Sequence, residues 1–507
     1  MLLARNAGKG AAPDYQRHQP EQTLLYQIIE EYYPEFQASL EANGRTLPRY
    51  VQREFEDFLT CGRLEFGFMR VRCEDCKYER LVAFSCKRRG FCPSFGARRM
   101  AESAALLVDE VLPQEPMRQW VLSFPFQLRF LFASYPELMG QVLGIVYRTL
   151  STHLIKKAGF TKTAAQTGAV TLIQRFGSAL NLNIHFHMLF LDGVYAEDAY
   201  GKMRFHRVSA PTIGELSSLA HTLSQRIARF LERKGLLERD AENSYLLLEQ
   251  SDEDVMAPLH GHSITYRVAI GSQLGRKVMT LQTQPSKSQN SGLERVAKEA
   301  GFSLHAGVSA EAHQRDKLEK LCRYISRPAV SEKRLALTTN GKIRYQLKTA
   351  YRDGTTHVIF EPLDFIAKLA ALVPKPRANL TRFHGVFAPN SKHRVQVTPA
   401  KRGKKPDKPE AADTDWLDKT PEERHHAMTW MQRLKRVFNI DIEVCEHCGG
   451  HVKVIASIED PDIIEQILKH LKLKAAKADT NHHTQPPERA PPLTPSLFGP
   501  SQTRLFN

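Results

Sequence analysis

Apolar residues recur at intervals of three and four through residues 21–60 (EQTLLYQIIEEYYPEF to YVQREFEDFLTC), which predicts amphipathic helices interrupted at Pro34 and Pro48. The helical period continues through ARRMAESAALLVDEVL at 97–112. WVLSFPFQLRFLF, dense in aromatic and branched residues, then reads as a buried strand that opens a new domain. After a further helical stretch, AVTLIQRF and ALNLNIHFHMLFLDGVY read as two arms of a β-hairpin turning at Gly177 and Ser178. SITYRVAI and KVMTLQT form another hairpin-like region. SAEAHQRDKLEKLCRYISRP returns to helix, with Ser309 as its cap and Pro328 as its stop.

The flanks have a different texture. Residues 1–20 are polar and rich in Gly and Ala, and disorder is expected there. Between Pro374 and Lys405 lie nine basic residues and no acidic one, which predicts a cationic arm leading into a basic linker at 401–420. A small module over 421–475 carries Cys445 and Cys448, and the Pro-rich stretch 476–507 is expected to be disordered. At 507 residues the chain has room for two or three domains, divided on this reading into 21–110, 115–400 and 421–475.

Charge narrows the partners. Lys and Arg number 71 against 55 Asp and Glu, a formal net charge of +16, which favours a polyanion; nucleic acid is the commonest, with an acidic membrane surface as the other option. No window approaches ~18 uninterrupted apolar residues and the first residues hold no apolar leader core, so a cytoplasmic, nucleoid-associated protein without membrane contact is expected. Six of the eight cysteines fall in two short clusters, which in a reducing compartment points to metal rather than disulfides.

In NLNIHFHMLFLDG, Asn181, Asn183, His185 and His187 alternate with apolar residues, so a strand carries both imidazoles on one face. Two such rings, roughly 6 to 7 Å apart at the backbone, can converge on one divalent ion. The plainer alternative is a pair of packed histidines with no ligand. Tyr324 shares a helix face with Lys320 and Arg327, while Leu318, Leu321, Cys322 and Ile325 form the opposite, apolar stripe. A phenol ordinarily titrates near ~10, so neighbouring cations would favour the phenolate and grip a phosphodiester; otherwise the ring simply packs.

Cys73, Cys76, Cys86 and Cys92 offer four thiolates in twenty residues, enough for a tetrahedral structural Zn²⁺, with Cys61 in reserve. Lys87, Arg88, Arg89, Arg98 and Arg99 crowd this knuckle and suit a DNA backbone. Cys445 and Cys448, followed by two glycines, look like half of a zinc ribbon, which His447, His451 or a second subunit would have to complete.

These residues resemble the HUH class of rolling-circle enzymes. Through SCKRRGFCPS, NLNIHFHMLFLDGVY, CRYISRPAV, YRDGTTHVIFEPLDFIAKLAALVPKPRANLTRFHGVFAPN and CEHCGG, the chain is similar to transposases of the insertion-sequence-ninety-one family and their common-region relatives. The resemblance implies an α+β fold, with an HUH-type catalytic domain whose central antiparallel sheet is flanked by helices. An N-terminal helical, zinc-binding module and a small C-terminal module would accompany it. It further implies that Tyr324 attacks single-stranded DNA at the ends of a mobile element, forming a 5′-phosphotyrosine, with Mg²⁺ or Mn²⁺ held by His185 and His187. Two-tyrosine relatives carry a second tyrosine about one turn away, where this chain has Lys320, so a single-tyrosine form is expected. Relatives also place a cysteine where Phe95 stands, which makes Cys86 the expected substitute.

The third metal ligand stays open. Pro328, one turn after Tyr324, cannot coordinate. A tight hairpin would put Gln174 opposite Asn181, about 13 Å from His185 at ~3.3 Å per residue, and so excludes it. A non-catalytic zinc-containing DNA-binding regulator, or a replication initiator or relaxase with the same chemistry, are the competing functions. The sequence is silent on oligomeric state.

Overall fold

The computed structural model describes residues 19–239, 244–247, 254–285, 296–401 and 443–478. The expected disordered start, most of the basic linker and most of the C-terminal tail lie outside them. Two compact units interleave along the chain. Of the described residues, one takes 19–23, 57–87 and 443–478, the other 24–56 and 88–401. Residues 21–110, read from the sequence as one module, are thus divided between the two.

In the first unit, β1 (Phe68–Cys73) and β2 (Glu79–Ala83) form an antiparallel hairpin. A strand from the far end of the chain, β18 (Val452–Ile458), pairs with β1 on its other side, setting Cys73 opposite Val452. The helix Pro461–Ala478 follows.

The second unit is built on a six-stranded antiparallel sheet. Its order is β12 (Val296–Glu299), β13 (Phe302–Ala310), β3 (Met117–Ser123), β6 (Leu182–Leu191), β5 (Gly168–Phe176) and β17 (Thr381–Gly385). A three-stranded sheet joins β4 (Ala165–Gln166), β7 (Gly193–Glu197) and β8 (Met203–Arg207), and β9 (Leu237–Arg239) pairs with β10 (Ser244–Leu246). A four-stranded sheet takes β11 (Met279–Gln282), β16 (Thr355–Phe360), β15 (Ile343–Gln346) and β14 (Leu335–Leu337), in that order. The helices are α1 (Leu24–Glu41), α2 (Arg49–Thr60, which ends in the first unit), α3 (Pro93–Leu106), α4 (Phe126–Ser134), α5 (Pro136–Lys157), α6 (Ile213–Arg233), α7 (Met256–Ile264), α8 (Arg315–Ile325), α9 (Pro362–Leu372) and the short α10 (Arg394–Val397).

Central strand β6 is buried along its whole length because both its faces are covered. On one face Phe186 meets Phe124 edge-on at 4.9 Å and Phe190 meets Trp120 at 6.3 Å, with α4, α7 and α9 against the strand. On the other, Leu189 and Leu191 join Met117, Val170 and Leu172 in a core that receives Leu318, Leu321, Cys322 and Ile325 of α8. The apolar stripe of α8 therefore docks where the histidine face of β6 turns from polar to leucine.

Four local expectations are corrected. WVLSFPFQLRFLF is a strand only as far as Ser123; Pro125 caps α4, where Leu128, Leu131 and Phe132 recur at helical spacing and are buried. Ser309 does not cap α8: it lies in β13 opposite Arg118, and the helix begins at Arg315. The β5–β6 loop is wider than a two-residue turn, since Phe176 pairs with Leu182 and the Gly177 N–H donates to Asn181 O at 2.9 Å. The cationic arm after Pro374 is not wholly loop, because it supplies edge strand β17.

Candidate active site

The period-two alternation of β6 delivers His185 and His187 to the α8 side, each about 1% exposed. Their Nε2 atoms face one another at 3.1 Å. His185 Nδ1 lies 2.8 Å from Asn183 O, so that nitrogen carries the proton and leaves the Nε2 lone pair facing inward. The Gln119 Nε2 donates to His187 Nδ1 at 2.7 Å, which puts the His187 proton on Nε2, where it can donate to the Nε2 lone pair of His185. Burial pushes His185 down to about 3, helped by the charges of Arg129 and Arg327, and pushes His187 well below the usual imidazole range. Both rings are therefore neutral, the form that ligates metal.

The same face supports the fit of a divalent ion. Ser123 stands opposite His185 in the register, and its Oγ is buried without a hydrogen-bond partner among the described residues. The side-chain amide of Asn183, fully buried, is in the same position. Buried polar atoms are seldom left so unless something else completes the site. His305, on β13, shares the register row of His187 across Val121.

Tyr324 comes to this face on α8, half-buried, with its ring 6.3 Å from that of His187 and nearly perpendicular to it. Arg327 lies over the tyrosine ring at 4.8 Å and also over Phe176 at 5.5 Å. Lys348, just past β15, holds its ammonium 4.5 Å from the same ring centre. Partial loss of hydration, followed by the charges of Arg327 and Arg334, pushes Lys348 down to about 8. The helix itself is pinned by Gln174, whose Nε2 donates to Ile325 O at 3.2 Å.

Gln174 is a correction: it pairs with His185 in the register instead of lying far from it, because the wide loop shifts the hairpin. Lys348 and Gln119 were missed altogether. No spacing rule links Lys348 to Tyr324, since a separate sheet carries it in. Gln119 did leave a signal, a polar residue on the buried face of MRQWVLS alternating with Val121 and Ser123.

An open cleft adjoins the tyrosine helix, lined by Arg88, Arg89, Arg99, Arg327, Phe95 and Phe176, among others. Four of the basic residues read as DNA contacts thus meet at one place. Arg98 instead pairs with Glu102 at 3.1 Å, and Lys320 stands exposed on α8. Burial pushes Arg99 below its usual range, with the neighbouring charge of Arg89 adding to the effect.

The cysteines group differently from expectation. Cys73 and Cys76 meet Cys445 and Cys448, and the four sulfurs all lie within 4.8 Å of one another. Cys86 and Cys92 are outside that quartet. The Cys86 N–H donates to Cys61 Sγ at 3.2 Å, and Cys92 occupies the N-cap of α3, ahead of Pro93.

Among the described residues no helix is long and apolar enough to cross a membrane. Comparison with known families matches residues 168–394 to the transposase family Y2_Tnp and residues 28–124 to Zn_Tnp_IS91, the transposase zinc-binding domain. No curated protein and no solved structure matches the chain. The second match contains Cys73, Cys76, Cys86 and Cys92, and the first contains the histidine strand, Tyr324 and Lys348. With a zinc-binding domain leading into a transposase domain in one chain, the protein belongs to the IS91 family of transposases.

Proposed function

We propose that this transposase cuts and rejoins single-stranded DNA at the ends of its mobile element through Tyr324. The observation that carries the reading is the meeting of a phenol with two converging, buried, neutral imidazoles: Tyr324 lies 6.3 Å from His187 by ring centres, and His187 Nε2 lies 3.1 Å from His185 Nε2.

In the proposed step the Tyr324 oxygen bonds to phosphorus, the bond from phosphorus to the 3′ oxygen breaks, and that oxygen leaves as a 3′-hydroxyl after taking up a proton. The DNA is left with a 5′-phosphotyrosine, which conserves the phosphodiester energy for rejoining. Arg327 and Lys348 place positive charge around the ring, where the attacking anion forms. His185 and His187 would hold Mg²⁺ or Mn²⁺, which supplies charge neutralisation at the phosphate oxygens when bound. Gln119 and the Asn183 carbonyl orient the imidazoles, and Gln174 orients the end of the tyrosine helix. The cleft beside it mixes arginines with Phe95 and Phe176, a surface that takes a phosphate backbone and stacks bases without reading their sequence.

The test is incubation of labelled single-stranded element ends with the protein and Mg²⁺ or Mn²⁺, followed by a denaturing gel. A shifted, protease-sensitive band is expected from the wild type and none from Tyr324→Phe, with DNA binding retained. An adduct persisting in Tyr324→Phe would place the nucleophile elsewhere. Binding without any adduct in the wild type would favour a regulator.

A further inference from the structure

The two CxxC turns are alike in backbone as well as in sequence. In the first, the Cys73 N–H donates to Tyr78 O at 2.9 Å, and Lys77, immediately after Cys76, takes a left-handed φ of +63°. In the second, the Cys445 N–H donates to Gly450 O at 2.8 Å, and Gly449, immediately after Cys448, has φ +76°. Each chain thus folds back directly after its second cysteine and presents both sulfurs on one side. Lysine accepts this conformation only at some strain, so something must favour the turn.

The two turns also fit together closely. The Glu74 N–H donates to His451 O at 2.9 Å, and Tyr78 packs on His447 with ring centres 4.1 Å apart. A Cβ at Gly450 would lie 2.1 Å from Asp75 Oδ2, which shows how closely the second turn approaches the first. Across the seam, Cys73 Sγ is 3.4 Å from Cys448 Sγ and Cys76 Sγ is 3.5 Å from Cys445 Sγ. Those separations are too long for disulfides, whose sulfurs sit at about 2.05 Å. They approach the ~3.8 Å edge of a tetrahedron with zinc–sulfur bonds of about 2.3 Å.

We infer that Cys73, Cys76, Cys445 and Cys448 form one structural zinc site, in which the C-terminal module supplies half the ligands of the zinc-binding domain. The ion joins residues 369 to 375 positions apart in sequence and fixes β18 onto β1. The C-terminal CxxC is then not half of an intersubunit site, and Cys86 and Cys92 are not its partners on the ion. The inference rests on the cysteine geometry alone and stands whether or not Tyr324 is the nucleophile.

Cys76 and Cys448 are exposed, so without an ion an alkylating reagent can reach both. Residue-resolved alkylation of the full-length, zinc-loaded protein should leave both unmodified, and chelation should release all four thiols together. The Cys445→Ser/Cys448→Ser variant should lose a zinc equivalent and expose Cys76 to alkylation in folded protein. Cys86→Ser and Cys92→Ser should leave Cys76 protected. Rapid alkylation of Cys448 in the zinc-loaded wild type would overturn the assignment. Continued protection of Cys76, with four-sulfur zinc coordination by X-ray absorption, in the Cys445→Ser/Cys448→Ser protein would overturn it as well.

Discussion

Lys348 is the residue whose chemistry the fold changes most usefully. Its ammonium lies 4.5 Å from the centre of the Tyr324 ring, beside Arg327 and Arg334, and partial desolvation with those charges pushes it down to about 8. A lowered lysine keeps its proton below that value and loses it above, so the positive charge beside the tyrosine should fade as pH rises through about 8. Lys348→Arg removes the titration, because a guanidinium stays charged throughout. The rate of adduct formation in Lys348→Arg, divided by that of wild type, should therefore rise between pH 7 and pH 9, on the order of tenfold if the cation contributes about 1.4 kcal/mol to the transition state. A ratio that stays flat with pH would remove Lys348 from the electrostatics of the step. Tyr324, His185 and His187 were legible as residues because strand and helix periods are local properties of sequence. Lys348 was not, since its position depends on where a separate four-stranded sheet docks.

The placement of α8 depends on contacts made by whole elements. Its apolar stripe was readable from Leu318, Leu321, Cys322 and Ile325, and these four are the residues it buries. What the sequence did not reveal was the partner of its end. Gly96 of α3 lies so close to Pro328 that a Cβ there would sit 2.5 Å from the proline Cβ, part of a rigid ring. Gly96→Ala should therefore lower stability by about 1–3 kcal/mol through overpacking. It should also slow adduct formation by displacing the helix end that Gln174 holds. Gly140 of α5 offers the contrast: its nearest neighbour would be an Arg382 nitrogen at 3.8 Å, so Gly140→Ala should raise stability by roughly 0.5–1 kcal/mol through helix propensity. Denaturant unfolding of the two variants should move in opposite directions, and parallel losses would refute the steric account. The misplaced Gln174 teaches the same lesson about elements. Gly177 and Ser178 signalled a turn, but Leu180 at φ +58° and the bond from Gly177 to Asn181 widen it, and every residue on β5 then meets a different partner.

At the scale of the whole molecule, long-range pairing was beyond the sequence: nothing in FMRVRC indicates that its partner is a strand beginning at Val452. The chemistry of the interior has a consequence that local reading also could not supply. The sheet-based unit buries histidines as neutral groups. Desolvation holds His185 and His260 down to about 3 and His384 down to about 4, and holds His187 lower than the ordinary range. In the unfolded chain these imidazoles take up protons near ~6.5. Between that value and the lowered native ones the unfolded state binds more protons, so stability falls as pH drops, on the order of 1 kcal/mol per histidine per pH unit. His260 isolates the effect, because it lies outside the tyrosine site and neither ring nitrogen has a hydrogen-bond partner among the described residues. Its nearby charges, Arg175 and Lys375, oppose a further proton there. Metal-free His260→Leu protein should match or exceed wild type in melting temperature at pH 5 and lose less between pH 6.5 and 4.5. Parallel melting curves for the two proteins across that range would mean that His260 takes up its proton while folded, and that the interior around it is wetter than its packing indicates.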